Sequence, residues 1–165
     1  MKLIKLGVLS LFFIALLITG MSLFIPSKTR VSRAITLSLP AAQVSGYLSD
    51  LRNWPEWNEL LQGVEQSQLK ATPESITGPD VRIERLSTSD TSITSLWRAG
   101  GEKAVHCTYA LTAYDPSSTV VQWYFDFQVK WYPWEKFGSI LFDRQLGPLM
   151  EKSLDQLKKS IPAAQ

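Results

Sequence analysis

Residues 119–131 read TVVQWYFDFQVKW, and this stretch decides the class of fold. Every second position is apolar, namely Val121, Trp123, Phe125, Phe127, Val129 and Trp131, whereas the positions between them are mostly polar. A period of two with one apolar face predicts a strand of an antiparallel sheet whose other face meets water.

Similar alternation earlier in the chain predicts more strands of the same sheet. These strands are expected at 31–39, 81–86, 93–98 and 104–114, with a weaker one near 64–69 in a polar loop. Turn signals separate the later strands, at 89–90, at 99–102 (Ala-Gly-Gly-Glu) and at 115–118 (Asp-Pro-Ser-Ser). The sequence therefore predicts consecutive hairpins.

Helical spacing appears on both sides of these strands. A helix is predicted over residues 40–51, with Pro40 in its first turn, and a short one from Pro55 to near Leu61. The C-terminal stretch has an apolar stripe made of Phe142, Leu146, Met150, Leu154, Leu157 and Ile161. Gly147-Pro148 interrupts this stretch and predicts a kink or a new helix start. Packing the sheet on this last helix predicts an α+β fold.

Residues 6–25 read LGVLSLFFIALLITGMSLFI and contain no charged side chain. About 20 helical residues are needed to cross a bilayer. We therefore predict a transmembrane signal anchor over residues 1–26 and a folded domain over residues 27–165. A cleaved signal peptide and a buried helix are the alternatives; a signal peptide usually has a shorter apolar region and a small-x-small cleavage site.

The distribution of charge bears on partners and on orientation. Setting aside Lys2 and Lys5 from the 17 basic residues leaves 15, which equals the number of acidic residues. The domain thus lacks the basic excess expected of a nucleic-acid-binding protein. Basic residues flank the apolar stretch on both sides, so the positive-inside rule favours only weakly an extracytoplasmic domain on the inner membrane.

No catalytic or metal-binding constellation is evident in the sequence. His106 is the single histidine, and strand alternation places it on the face opposite Cys107, so the two do not form a nucleophile–base pair. One histidine and one cysteine cannot supply a zinc site. Phosphate-binding loops and the GxSxG elbow are absent as well. We predict no catalytic residue, metal or cofactor.

Four segments resemble the START-like helix-grip superfamily (SRPBCC), which includes polyketide cyclase/dehydrase and lipid-transport proteins. They are VSRAITLSLPAAQV (31–44), DLRNWPEWN (50–58), VQW (121–123) and LGPLMEKSLDQLKK (146–159). The resemblance covers roughly residues 27–161, and with the anchor it points to bacterial membrane-anchored members. It implies a sheet wrapped on the C-terminal helix and a cavity that binds a hydrophobic ligand; only some members are enzymes.

Seven residues are candidates for the lining of this cavity: Trp54, Trp57, Arg85, Trp97, Tyr109, Trp123 and Phe125. Trp54 and Trp57 lie in the segment that borders the cavity entrance in the superfamily. The alternative is that the aromatic side chains simply fill the core. Arg85 would either hold an anionic group inside or extend its charge to the sheet edge.

Trp131, Tyr132 and Trp134 form a second group, next to Lys130 and Lys136. Aromatic rings beside basic residues are typical of the membrane–water interface, and the domain would be tethered close to a bilayer. The alternative is a packed strand end.

The sequence thus predicts a membrane-anchored domain that binds a hydrophobic small molecule or lipid without catalysis. One alternative is a cyclase- or dehydratase-like enzyme, in which Tyr109 would be the first acid to test. Another is an envelope protein-interaction module with a filled core.

Overall fold

The computed structural model describes residues 2–100 and 104–162. The helices are α1 (Lys2–Leu23), α2 (Ala41–Ser49), α3 (Trp54–Trp57), α4 (Glu59–Gln62), α5 (Pro133–Ser139) and α6 (Phe142–Ser160). The strands are β1 (Lys28–Leu37), β2 (Lys70–Ala71), β3 (Ser75–Thr77), β4 (Val81–Ser89), β5 (Ser92–Ala99), β6 (Val105–Asp115) and β7 (Ser118–Gln128).

The seven strands form one antiparallel sheet in the order β1-β7-β6-β5-β4-β3-β2. Consecutive hairpins from β2 to β7 place each strand beside the next, and β1 pairs with β7 at the far edge. The predicted α+β class and the antiparallel sheet with a long C-terminal helix are confirmed. The predicted hairpin turn at 99–102 lies partly outside the described residues.

Three local predictions between residues 55 and 131 are wrong. The stretch near 64–69 contains a 3-10 turn at Gln66–Gln68 instead of a strand. The strand that starts near residue 119 ends at Gln128 and not at Trp131, because Pro133 begins a helix shortly afterwards. The short helix expected from Pro55 to Leu61 is two helices, α3 and α4. The break occurs at Asn58, whose side chain accepts a hydrogen bond from the Leu60 amide and caps the N-terminus of α4.

Helix α6 packs against β1, α3 and α4 and buries its apolar stripe, including Met150, Leu154 and Leu157. The new helix start expected at Pro148 is wrong, because α6 begins at Phe142 and continues through Pro148.

Arg33 of β1 links the N-terminal half of α6 to the sheet through ion pairs. Its guanidinium donates to Asp143 Oδ1 at 2.8 Å, to Glu151 Oε1 at 2.6 Å and to the Ser32 carbonyl at 2.8 Å. Gly147 leaves room for it, since a Cβ atom there would lie 2.1 Å from Arg33 Nη2. This glycine therefore permits a close approach between strand and helix.

Helix α1 has mostly exposed apolar side chains, which distinguishes it from a core helix. Residues 4–23 are long and apolar enough to cross a membrane, and a signal sequence would meet the same criteria. At 1.5 Å per residue, these 20 residues extend about 30 Å, which matches the hydrocarbon core of a bilayer.

Candidate functional site

Six of the seven predicted cavity residues form one contiguous group of rings, which we call the aromatic cluster: Trp54, Trp57, Trp97, Tyr109, Trp123 and Phe125. Tyr109 lies at the centre, 5.2 Å from the ring centroids of both Trp54 and Trp123. Trp57 contacts Tyr109 at 6.0 Å and Trp123 at 6.2 Å. Every member is buried. Sheet and α3 therefore meet through aromatic side chains.

Several polar atoms of the aromatic cluster are satisfied inside the protein. Trp54 Nε1 donates to the Leu48 carbonyl at 2.9 Å, and Trp97 Nε1 donates to Ser95 Oγ at 3.0 Å. Trp123 Nε1 donates to Cys107 Sγ at 3.0 Å. These bonds fix the orientation of three indole rings in the core.

Two other polar atoms of the cluster, Trp57 Nε1 and Tyr109 Oη, are buried without a hydrogen-bond partner among the described residues. An unpaired buried polar group costs about 1–3 kcal/mol. Burial raises the pKa of Tyr109 well above its usual value, so the phenol keeps its proton at neutral pH. The aromatic core therefore offers two unused donors to a polar atom that reaches it.

The seventh predicted residue, Arg85, lies outside this network of ring contacts. Its guanidinium donates to the Ser49 carbonyl at 2.5 Å and to Glu74 Oε1 at 3.2 Å. Arg85 thus links β4 to the end of α2, and both bonds would have to be exchanged if it were to hold an anionic ligand.

A mostly apolar pocket of about 620 Å³ opens at one end of the sheet. It is lined by the start of β6, the end of β7, helix α5 and the first residue of α6. The lining residues are Ala104, Val105, His106, Asp126, Phe127, Gln128, Val129, Glu135, Gly138 and Phe142. Its volume is in the range of small-molecule sites, which are about 300–1,000 Å³.

The pocket wall continues into the aromatic cluster. The ring centroid of Phe127 lies 4.6 Å from that of Phe142, which also lines the pocket, and 6.1 Å from that of Phe125. On the α5 side, the carboxylate of Glu135 accepts a hydrogen bond from the Lys130 amide at 2.9 Å. The pocket thus combines an aromatic wall with a few polar groups, as ligand sites usually do.

None of the seven predicted residues is among the pocket-lining residues. Sequence reasoning missed Val105, Phe127 and Val129, although the alternation of β6 and β7 already placed them on the apolar face. Phe142 likewise belonged to the predicted stripe of α6. The missing information was the position of α5, because its short sequence did not indicate which part of the sheet it covers.

The single cysteine and the single histidine are placed differently. Cys107 is fully buried, and burial raises the pKa of its thiol to about 12, so the reactive thiolate is disfavoured. His106 is exposed at the pocket rim. Within residues 2–100 and 104–162, no group of three or more His, Cys, Asp or Glu side chains could hold a metal ion.

The three predicted membrane-interface residues stand together where α5 begins. The Tyr132 ring stacks on that of Trp134, with centroids 4.9 Å apart and planes 3° from parallel, and contacts Trp131 at 4.8 Å. Trp131 and Trp134 are largely exposed, so a packed strand end does not describe them.

Three examples illustrate the solved structures that have a similar fold. Norcoclaurine synthase from Thalictrum flavum, in complex with dopamine and hydroxybenzaldehyde, matches with TM-score 0.58 and 11% identity over 83% of this chain and 90% of that one. CalU16 from Micromonospora echinospora matches with TM-score 0.55 and 13% identity over 81% and 84%. A START superfamily protein from Mycobacterium smegmatis matches with TM-score 0.50 and 16% identity over 79% and 92%.

At these sequence identities the structural similarity shows a shared fold and nothing about function. No curated protein matches the sequence. The family model for polyketide cyclase/dehydrase and lipid transport matches residues 28–161, which span the whole sheet and α6. The helix-grip resemblance of the sequence is therefore confirmed, and the chain belongs to the polyketide cyclase/dehydrase and lipid transport family.

Proposed function

We propose that this protein is a membrane-anchored binding domain for a hydrophobic small molecule or lipid, and that it does not transform its ligand. The observation that carries this proposal is the apolar pocket of about 620 Å³ at the end of the sheet. A pocket of this size suits a drug-sized molecule or a lipid chain. The family, which includes lipid transport proteins, supports the same ligand class.

The position of the pocket relative to α1 supports the role of the anchor. Ser27, four residues after α1, accepts a hydrogen bond from the Val129 amide at 2.9 Å. Val129 itself lines the pocket. If α1 spans the membrane as an uncleaved anchor, the pocket lies close to the lipid surface, where hydrophobic ligands are concentrated. An extracytoplasmic domain on the inner membrane is the orientation we propose.

The aromatic cluster is proposed as the inner end of the same site. Phe125 belongs to the cluster and contacts Phe127, which belongs to the pocket wall. A ligand that moves these rings apart would gain aromatic contact, and a polar atom on it would satisfy Trp57 Nε1 or Tyr109 Oη. This arrangement favours an apolar ligand that carries one polar group.

The pocket lining supports binding better than catalysis. Its ionisable residues are His106, Asp126 and Glu135. Asp126 is engaged by Arg30, which donates two hydrogen bonds at 2.7 and 2.9 Å. Glu135 accepts the Lys130 amide bond. Two of the three are thus already engaged in bonds that a general acid or base would have to give up.

The first experiment is native mass spectrometry of the full chain, extracted in mild detergent from the membranes in which it was made. We expect a bound lipid or apolar metabolite. The variant Gly138→Leu should displace it, because Gly138 lines the pocket and no atom lies within 4 Å of a Cβ placed there. Leucine also favours a helix more than glycine does.

Gly46→Leu is the matched control, since Gly46 is an exposed glycine of α2 with equally open space around it. It should retain the adduct of the unmodified protein. An empty protein, under conditions in which a known lipid carrier keeps its lipid, would contradict the binding function. An adduct equally abundant in both leucine variants would contradict the pocket assignment.

A cyclase- or dehydratase-like enzyme is the second candidate, favoured by the unpaired hydroxyl of Tyr109. A buried phenol that keeps its proton can donate a hydrogen bond to a carbonyl oxygen of a substrate. A filled-core interaction module is less well supported, because the pocket exceeds the lower limit of about 300 Å³ for ligand sites.

A further inference from the structure

Helix α5 and its flanks expose an apolar surface, which we call the α5 surface: Trp131, Trp134, Phe137, Ile140 and Leu141. Trp134 is 70% exposed and Ile140 is 59% exposed. Large side chains of this kind are ordinarily buried when they occur in a group, and an exposed group marks a contact with another molecule or with a membrane.

The α5 surface adjoins the end of α1. The ammonium group of Lys136 is buried and donates to the Ile25 carbonyl at 2.5 Å, two residues after α1 ends. Helix α5 also packs directly against α1. Phe24, in the connecting segment, is 90% exposed. The apolar side chains of α1 therefore continue through Phe24 towards α5.

The chemistry of the α5 surface suits the headgroup region of a bilayer. Tryptophan and tyrosine are enriched at that depth, because their rings are apolar and their N–H and O–H groups are polar. Lys130 Nζ lies 5.6 Å from the centroid of Tyr132, so a cation stands beside the stacked rings. Lysine side chains near a bilayer surface extend their charge to the lipid headgroups.

We propose that the α5 surface lies in the interfacial layer of the bilayer that α1 spans, so that the pocket opens beside the lipid. The proposal rests on the membrane anchor of the proposed function. Gly138 and Glu135 of α5 line the pocket, whereas Trp134, Phe137 and Leu141 lie on the exposed side. One short helix therefore separates the ligand site from the proposed membrane contact.

The positions of the tryptophans allow a direct test. Residues 1–30, which include α1, contain no tryptophan. Trp54, Trp57, Trp97 and Trp123 are buried in the domain, which leaves Trp131 and Trp134 exposed. The full chain is reconstituted into vesicles whose phosphatidylcholine carries bromine on its acyl chains. We expect brominated lipid to quench part of the emission, and Trp131→Phe with Trp134→Phe to abolish that quenching.

The control places a tryptophan at the far end of the sheet. Tyr114 is 80% exposed near the hairpin between β6 and β7. The pocket end of β6 lies about 30 Å away at roughly 3.3 Å per residue. Adding Tyr114→Trp to the double variant should give emission that aqueous iodide quenches and brominated lipid does not.

Flotation of the same vesicles separates the two proposals. Protein that floats, with Trp131 and Trp134 open to iodide and insensitive to brominated lipid, would overturn docking while the anchor stands. Protection from both quenchers would instead indicate a protein partner or a second copy on the α5 surface, and would equally overturn docking. Protein that does not float would contradict the anchor, and docking would fall with it.

Discussion

The centre of the inner sheet face and its end beside α5 belong to the same two strands, yet one is closed and the other is open. At the centre, Tyr109 and Trp123 are covered by Trp54 and Trp57 of α3. At the end, the pocket is bounded on the α5 side by Glu135 and Gly138. The difference lies in the covering helix, because α3 presents two indoles and α5 presents a glycine. A strand determines which side chains face inward, and the covering helix determines whether the space is filled.

The largest expected effect concerns the closed centre. Trp57→Ala should lower the free energy of unfolding by about 3–5 kcal/mol, because a fully buried aromatic is lost and a cavity remains. Urea unfolding of the full chain in detergent micelles, followed by near-ultraviolet circular dichroism, measures this change. Trp134→Ala is the control, since its exposed ring should contribute less than about 0.5 kcal/mol. Equal costs for both variants would contradict the difference between the two regions.

A substitution at the open end should lower the free energy of unfolding less than one at the centre, and should reduce ligand binding more. Phe142 is half-buried, so Phe142→Ala should cost about 2 kcal/mol, roughly half the cost of a fully buried ring. The adduct seen by native mass spectrometry should decrease strongly, because Phe142 forms one wall of the pocket. A cost as large as that of Trp57→Ala, with the adduct unchanged, would show that this end is core as well.

The same comparison explains what the sequence could predict. Alternation in residues 119–131 was enough to place Trp123 and Phe125 on the inner face, and both are buried. The packing of α6 followed from its apolar stripe in the same way. These are local periodicities, which a single sequence records directly.

The pocket depended on contacts between distant segments. Whether Phe127 meets a large side chain or a glycine depends on how residues 133–139 return to the sheet, and their sequence carries no periodic signal for that return. The ion pairs of Arg33 with Asp143 and Glu151 span more than 100 residues, and only the fold brings them together. Arg85 was ambiguous for the same reason, because its partner Ser49 lies in another element.

A smaller effect of opposite sign is expected at Tyr109. Tyr109→Phe removes a buried hydroxyl without a partner and keeps the ring, so the free energy of unfolding should rise by about 1 kcal/mol in the ligand-free protein. Urea unfolding of delipidated protein measures the change. A decrease in stability would mean that the hydroxyl has a partner in solution. If Tyr109→Phe keeps the bound adduct but no longer converts the ligand to a product that the unmodified protein forms, the enzymatic alternative is favoured.

The smallest expected effect on stability is that of Arg33→Gln. It tests the ion pair with Asp143, which holds the start of α6 beside the pocket. The hydrogen bond from Arg33 lowers the pKa of Asp143, and the charge of Arg33 acts in the same direction. The folded carboxyl is thus more acidic than the unfolded one, so its contribution is complete above the unfolded pKa of about 4 and is lost as the pH falls through the folded value. Arg33→Gln should weaken the fall of Tm between about pH 6 and about pH 3.

Arg52→Gln removes the hydrogen-bonded partner of Asp50, whose pKa is lowered in the same way, and provides the matched control. Both variants should flatten the pH profile, but only Arg33→Gln should also reduce the bound adduct, because Arg33 holds the start of α6, where Phe142 lines the pocket. If both variants reduce the adduct equally, the open end depends on overall stability and not on the position of α6.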